Sequence, residues 1–228
     1  MKGPALAVMA RAPVAGRAKT RLQPDLTPEQ CATLSLALIH DAIQLAVELT
    51  LYTTFLAYTP GKARKLFREI TPPGMRLMPQ PSGSLGERMH QLIVALVTQG
   101  YSPVVLIGTD IPTLQPETIF QAGKELQHTD LCLGPSRDGG YYLVGINRPD
   151  ERIFQNIEWS TSSVLDRTRR NAKASGLSVA LLEEYSDIDT FADLQNLNTD
   201  IARLRRKPGA RVPQYTGQWL KQNRNFFR

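Results

Sequence analysis

The run Pro-Val-Val-Leu-Ile-Gly at residues 103–108 is apolar throughout its centre, with no polar side chain to present to water. Such a strand has to be covered on both faces, as the inner strands of a parallel sheet are when helices pack above and below. The chain around it alternates to match. Strand patterns are expected at 5–10, 51–58, 75–78, 131–134, 141–146 and 177–182. Thr27-Pro28-Glu29-Gln30 supplies an N-cap, a first-turn proline and a capping-box glutamine, after which Leu34, Leu38, Leu45 and Leu49 form one apolar stripe. Ser84 and Glu87 make a second box ahead of Leu92, Leu96 and Val97, and further helices are expected at 61–70, 116–127, 162–174 and 191–197. Strand and helix therefore alternate, which predicts the α/β class with a mostly parallel sheet between helical layers.

At 228 residues and 42% apolar content the chain sustains one sizeable core, and neither a repeat nor a polar linker divides it. The one boundary is a change in charge. Residues 201–228 hold eight Lys or Arg and no acid, more than the net +6 of the chain, so residues 1–200 carry −2. We expect a domain over 1–200 and a basic extension over 201–228. A body of net negative charge is no general polyanion binder, and no aromatic-interleaved nucleic-acid motif occurs at 201–212. Trp219, Phe226 and Phe227 are expected to dock the tail onto the body or onto a second copy in a homo-oligomer. The apolar start of the chain is too short for a secretory signal and no later run approaches a transmembrane segment, giving a cytoplasmic expectation. Cys31 and Cys132 read as buried thiols, and His40, His90 and His128 are too scattered for a metal site.

In an open parallel sheet the ligand sits beyond the carboxyl ends of the strands, and that rule selects five loops. The first, Met9 to Leu22, gathers Arg11, Arg17, Lys19 and Arg21 around Pro13 and Gly16; residues 1–24 contain five cations and no acid, whose repulsion would favour an anionic partner, with a solvated loop as the plain alternative. In the loop Gly108-Thr109-Asp110-Ile111-Pro112, Asp110 ends an apolar strand, where it either binds a hard cation or caps the helix that follows. After the last strand, Asp187 and Asp189 precede a helix for which Asp189 or Thr190 is the N-cap and Asp193 the capping-box acid; Asp189 acquires another role only if its loop approaches Asp110. Gly139 and Gly140 allow close backbone approach beside Asp138, which can accept a proton or a sugar hydroxyl, although a plain glycine turn explains the same residues. Tyr141 and Tyr142 alternate, so at most one is expected on the crevice.

In order and spacing, Met-Ala-Arg-Ala-Pro-Val-Ala-Gly-Arg-Ala-Lys-Thr-Arg-Leu, Gly-Ser-Leu-Gly-Glu-Arg-Met, Leu-Ile-Gly-Thr-Asp-Ile-Pro-Thr-Leu, Leu-Gly-Pro-Ser-Arg-Asp-Gly-Gly-Tyr-Tyr-Leu-Val-Gly, Ile-Glu-Trp-Ser-Thr-Ser-Ser-Val-Leu and Asp-Ile-Asp-Thr-Phe-Ala-Asp-Leu resemble the nucleotide-diphospho-sugar transferase superfamily across residues 5–197. The closest resemblance is to the bacterial radical-SAM-associated, arsenosugar-biosynthesis glycosyltransferase-like family. It implies a GT-A, Rossmann-like three-layer sandwich with a mixed, mainly parallel central sheet, and Mg2+ or Mn2+ as cofactor. On that likeness Arg11, Gly16, Arg17 and Lys19 surround the donor phosphates, with Gln80, Ser82 and Gly86 near the base and ribose. Asp110 and Asp189 bind the metal; Asp138, Gly139 and Gly140 address the transferred group; to Trp159 and Ser160, candidates for the border of the acceptor, the likeness assigns no role. Asp110, Asp138 and Lys19 are the catalytic set so implied.

Many glycosyltransferases of that fold carry Asp-x-Asp at the metal, whereas Thr109-Asp110-Ile111 offers a lone Asp, as nucleotidyltransferases do. The leading expectation is transfer of a sugar from a nucleotide-sugar donor to an unknown small-molecule acceptor. The alternative is transfer of NMP from an NTP donor to a phosphorylated acceptor, and the third is a nucleic-acid or membrane-surface module on a degenerate transferase fold.

Overall fold

The computed structural model describes residues 2–224; Phe226 and Phe227 lie outside them. Seven strands form one sheet: β1 (Ala5–Arg11), β2 (Thr53–Thr59), β3 (Arg76–Pro79), β4 (Val104–Ile107), β5 (Leu131–Pro135), β6 (Tyr141–Ile146) and β7 (Val179–Leu181). Their spatial order is β3-β2-β1-β4-β6-β5-β7. Every pairing is parallel except those of β6, which runs antiparallel to both β4 and β5. A connection as short as Ser136 to Gly140 cannot make a parallel crossover, so β5 and β6 close as a hairpin.

The helices are α1 (Pro28–Glu48), α2 (Arg64–Ile70), α3 (Leu85–Thr98), α4 (Pro116–Glu125), α5 (Val164–Ala174), α6 (Phe191–Leu204) and α7 (Gln214–Gln222). Three start at capping boxes: Thr27 with Gln30, Ser84 with Glu87, and Thr190 with Asp193. The period of β1 divides the core. Leu6, Val8 and Ala10 point into a cluster with Ile39 and Leu45 of α1 and Ile119 of α4, while Ala5 and Ala7 point the other way, toward Met89 and Ile93 of α3 and Ala172 of α5. The sandwich therefore has three layers, with both faces of β4 fully covered.

A third cluster joins the outer side of α1 to α6 and α7 through Leu34, Leu38, Leu197, Ile201 and Trp219. The boundary expected at residue 200 falls within α6, and the described part of the basic segment beyond it, to residue 224, packs on α1. Trp219, 5% exposed, docks on α1, where its Nε1 donates to Thr33 Oγ1 at 2.9 Å. One expectation about apolar runs needs correction: α1 has 21 residues and a window of mean hydropathy 1.3, long and apolar enough to cross a membrane by length and composition. In the fold its apolar face packs on the sheet and on α7, which is what an amphipathic core helix requires.

Candidate active site

The carboxyl ends of the parallel strands open onto a cleft of about 560 Å³. Its floor is Lys19. The lysine backbone is left-handed, with φ 47°, an uncommon conformation for a side chain of this size, and it turns the ammonium inward until the side chain is 8% exposed. Lys19 Nζ lies 2.8 Å from Asp110 Oδ1 and 3.3 Å from Asp189 Oδ1, and it donates to the Ile188 carbonyl at 2.5 Å. Arg21 Nη1 holds the other oxygen of Asp189 at 2.8 Å. A backbone hydrogen bond from Ile188 N to Asp110 O at 3.0 Å fastens the two acidic loops together. Burial alone would lower the pKa of Lys19; the charges and hydrogen bonds of Asp110 and Asp189 outweigh it and raise the value, so the group is cationic at any physiological pH.

This arrangement decides between the two readings of each acid. Asp110 caps no helix, since α4 begins six residues later behind Gln115. The cap of α6 is Thr190, which accepts from Asp193 N, and Asp193 returns the bond; Asp189 is left to face Lys19 and Arg21. Asp187 completes the acidic side. Its pKa is pushed up to about 6, first by burial and then by the charges of Asp138 and Asp189. Among the described residues no three His, Cys, Asp or Glu side chains group to hold a metal alone. The donor set nevertheless fits a small hard cation. Asp110 is 49% exposed, with one oxygen on Lys19 and the other without a partner among the described residues. Mg2+ takes one or two such carboxylates and completes its shell with water and phosphate oxygens.

Of the expected residues, Arg11, Arg17, Lys19, Asp110, Asp138, Gly140 and Asp189 line this cleft. A Cβ at Gly140 would meet Asp138 Oδ1 at 3.1 Å and Ser136 Oγ at 3.2 Å, so the glycine leaves room for that carboxylate. Asp138 Oδ1 accepts from Ser136 Oγ at 2.6 Å and from Gly140 N at 2.8 Å. Both Tyr141 and Tyr142 line the cleft, where only one was expected, because they bound it from opposite faces of the sheet end.

A second cavity, of about 770 Å³, shares Arg11 and Arg17 with the first and adds Lys62, Gln80 and Arg88; it has four cations and no acid. Gln80, expected near the base and ribose, lines this cavity, and its amide is already engaged. Nε2 donates to the carbonyls of Ala57 and Ala10 at 2.8 and 3.2 Å, and Oε1 accepts from Arg88 Nη1 at 2.9 Å. Gln80 thus positions Arg88. Burial and the neighbouring charge of Arg11 lower the pKa of Arg88, and its Nε is buried without a hydrogen-bond partner among the described residues.

Gly16, Ser82, Gly86 and Gly139, expected beside the donor or the transferred group, line neither cavity. Gly16 is a left-handed turn residue, φ 75°, with open space around it, and Ser82 is exposed. Gly139, φ 86°, lies against the Ser162 backbone. Gly86 sits under Trp159, where a Cβ would come within 2.6 Å of Trp159 Cζ2 and 3.1 Å of the Phe154 carbonyl. Trp159 lines the cleft and meets the Tyr141 ring edge-on at 6.4 Å. Gly86→Ala is therefore expected to push the indole out of place and to cost about 1–3 kcal/mol by overpacking; thermal unfolding and the near-UV signal of Trp159 report both effects, and an unchanged spectrum would refute the contact.

Arg21, Asp187, Lys62 and Arg88 line the two cavities although the sequence assigned none of them a binding role. Arg21 and Arg88 stood within motifs already noted, and Asp187 shares its motif with Asp189.

Comparison with known proteins follows the same lines. Residues 39–161 match the family described as "Uncharacterized protein conserved in bacteria (DUF2064)". The chain belongs to the DUF2064 family. Among curated proteins, this family member is 29% identical over 182 residues to 3-phospho-D-glycerate guanylyltransferase of Phenylobacterium zucineum, covering 77% of this chain and 82% of the relative. It is 24% identical over 188 residues to 2-phospho-L-lactate guanylyltransferase of Natrialba magadii, covering 77% and 76%. A crystal structure from Desulfovibrio desulfuricans G20, provisionally assigned as a nucleotide-diphospho-sugar transferase, superposes with a TM-score of 0.87 at 28% identity over 100% of this chain and 97% of that one. The α/β fold with a mixed, mostly parallel seven-stranded sheet is thus that of nucleotide-sugar transferase-like proteins.

Proposed function

We propose that this protein is a nucleotidyltransferase that moves NMP from a nucleoside triphosphate, GTP by its relatives, to a phosphorylated small acceptor. The observation that carries the reading is the ammonium of Lys19 between Asp110 and Asp189, in a cleft whose other cations are Arg11, Arg17 and Arg21. A row of cations beside two carboxylates suits a polyphosphate that arrives with a divalent ion. The names of the two curated relatives, both guanylyltransferases, favour nucleotidyl over glycosyl transfer.

In this reading the all-cationic second cavity takes the nucleoside, with Arg88 held ready by Gln80, and Arg11 and Arg17 lie where the two cavities meet to hold the triphosphate. The acceptor phosphate attacks the α-phosphorus, the bond to the bridging oxygen breaks, and pyrophosphate leaves. Because a phosphate is already an anionic nucleophile, no protein base is required. The loop cations neutralise the charge that builds on the pyrophosphate. Asp110 and Asp189 would hold Mg2+ or Mn2+, which supplies Lewis-acid charge at the phosphates.

With GTP, Mg2+ and a phosphorylated acceptor, the expected result is stoichiometric pyrophosphate and a capped diphosphate product, both abolished by EDTA and restored by Mn2+. Coupled pyrophosphate release and phosphorus NMR measure them. Glycosyl transfer is the second reading, favoured by the full-length likeness to the D. desulfuricans structure. It predicts release of a nucleoside diphosphate from a nucleotide-sugar and no pyrophosphate.

A further inference from the structure

The charges of the cleft are segregated by chain segment. All of its cations, Arg11, Arg17, Lys19 and Arg21, come from the last residue of β1 and the segment that follows it. The opposite end, built around the β5–β6 turn and residues 159–161, contributes Asp138, Ser136, Ser160 and the Trp159 ring, and no Lys or Arg; Asp187 lies between the two ends, within reach of the charges of both Asp138 and Lys19. The one cation next to Asp138 in sequence, Arg137, is 71% exposed and paired outside the cleft with Glu184 at 3.5 Å.

We infer that this acid-lined end receives the body of the acceptor, and that this body is a neutral polyol rather than a carboxylate. The inference rests on the nucleotidyl-transfer reading. There the acceptor phosphate is the nucleophile, so it lies among the loop cations beside the α-phosphate of the donor, and the rest of the acceptor extends toward Asp138 and Trp159. A carboxylate in that position meets the charge of Asp138 without a cation beside it, which costs Coulomb repulsion. Hydroxyl groups meet the opposite situation, because each donates a hydrogen bond to a carboxylate oxygen. Asp138 is prepared for this. Its Oδ1 is fixed by Ser136 Oγ and Gly140 N, which sets the plane of the carboxylate, and Oδ2 has no partner among the described residues. Trp159, pinned between Gly86 and the edge of Tyr141, offers an apolar wall to the C–H face of a polyol.

A matched pair of esters tests the inference. Glycerol 3-phosphate and 3-phosphoglycerate share a three-carbon skeleton and differ only in a CH2OH group where the second has a carboxylate. With GTP and Mg2+, kcat/KM for glycerol 3-phosphate is expected to exceed that for 3-phosphoglycerate by at least about tenfold. The same preference is expected in binding to protein loaded with an α,β-methylene GTP analogue, read by ligand-observed NMR. Asp138→Asn, which keeps the shape and removes the charge, is expected to narrow the preference in both measurements. Preferential binding of the polyol ester without pyrophosphate release would sink the nucleotidyl reading and leave the acceptor inference standing. Equal or better use of 3-phosphoglycerate, no binding of either ester, or an unchanged preference in Asp138→Asn overturns the inference itself.

Discussion

Replacing Lys19 by methionine is expected to lower turnover by about 10³-fold, the loss typical when one preorganised charge is removed from a transition-state environment. Methionine retains the length and apolar stem of lysine, so the loop backbone has no steric reason to move. What disappears is the ammonium 2.8 Å from Asp110 and 3.3 Å from Asp189. Those carboxylates then face each other with only Arg21 opposite Asp189. Because Asp110 is 49% exposed, water screens much of the imbalance, and the stability loss should be about 1–2 kcal/mol rather than that of a fully buried pair. A second readout separates a charge role from a structural one. Freed of the lysine, the two acids should bind Mn2+ more tightly in the absence of nucleotide, which calorimetric titration detects. Retention of near wild-type turnover in Lys19→Met would remove the ion triad from the reaction.

The triad also explains how acids and cations coexist in one cleft before substrate arrives. Left-handed Lys19 and the bond from Ile188 N to Asp110 O place one positive charge between two negative ones, so neither carboxylate depends on a bound ion for its position. The exposed cations, Arg11 and Arg17, have no such partner among the described residues and line both cavities. In the proposed reaction they are the charges that a donor polyphosphate would reach first, and its arrival would relieve their mutual repulsion.

Much of this was legible in the residues, and what was not has a definable cause. Alternation of apolar strands with capped helices located the strands and helices, because burial on both faces of β4 and three capping boxes are properties of local sequence. The rule that ligands sit at strand carboxyl ends chose the loops that bound the cleft. It does not choose side chains within a loop. Gly16 and Gly139 looked like phosphate or substrate contacts and are a turn and a packing position, since a glycine required by left-handed backbone and one required by ligand approach read identically in sequence. Gly86 belongs to a third kind, being small because Trp159, far along the chain, lies over it. Arg88 escaped notice because the Gln80 that positions it stands on the preceding loop and carries no charge of its own. The approach of Asp189 to Asp110 could be stated only as a condition, for it depends on how the loops after β4 and β7 meet across β6 and β5.

The basic tail is the other place where long-range packing replaced a sequence boundary, and Asp41 is expected to give the largest stability effect in the chain. This carboxylate is 0% exposed in the middle of α1 and accepts the N–H groups of Tyr215 at 3.0 Å and Thr216 at 2.8 Å, thereby capping α7 from 174 and 175 residues away. Arg211, 7% exposed on its side chain, donates to the Asp41 carbonyl at 2.5 Å and to the Pro112 carbonyl at 3.2 Å, and pairs with Glu48 at 3.4 Å. Burial lowers the pKa of Arg211 against the pull of Glu48 and Asp41. Asp41→Ala strands two helix N–H groups and removes one of the two acids beside a buried guanidinium, a loss of about 3–5 kcal/mol. For a chain of this length that corresponds to a fall in Tm of roughly 6–20 °C. Asp41→Asn keeps one acceptor and should recover part of it. Since Asp41 lies outside both cavities, the surviving folded protein should turn over normally at low temperature. An unchanged Tm in Asp41→Ala would show that α7 is not anchored through this carboxylate, and the basic segment would again have to be treated as an appendage.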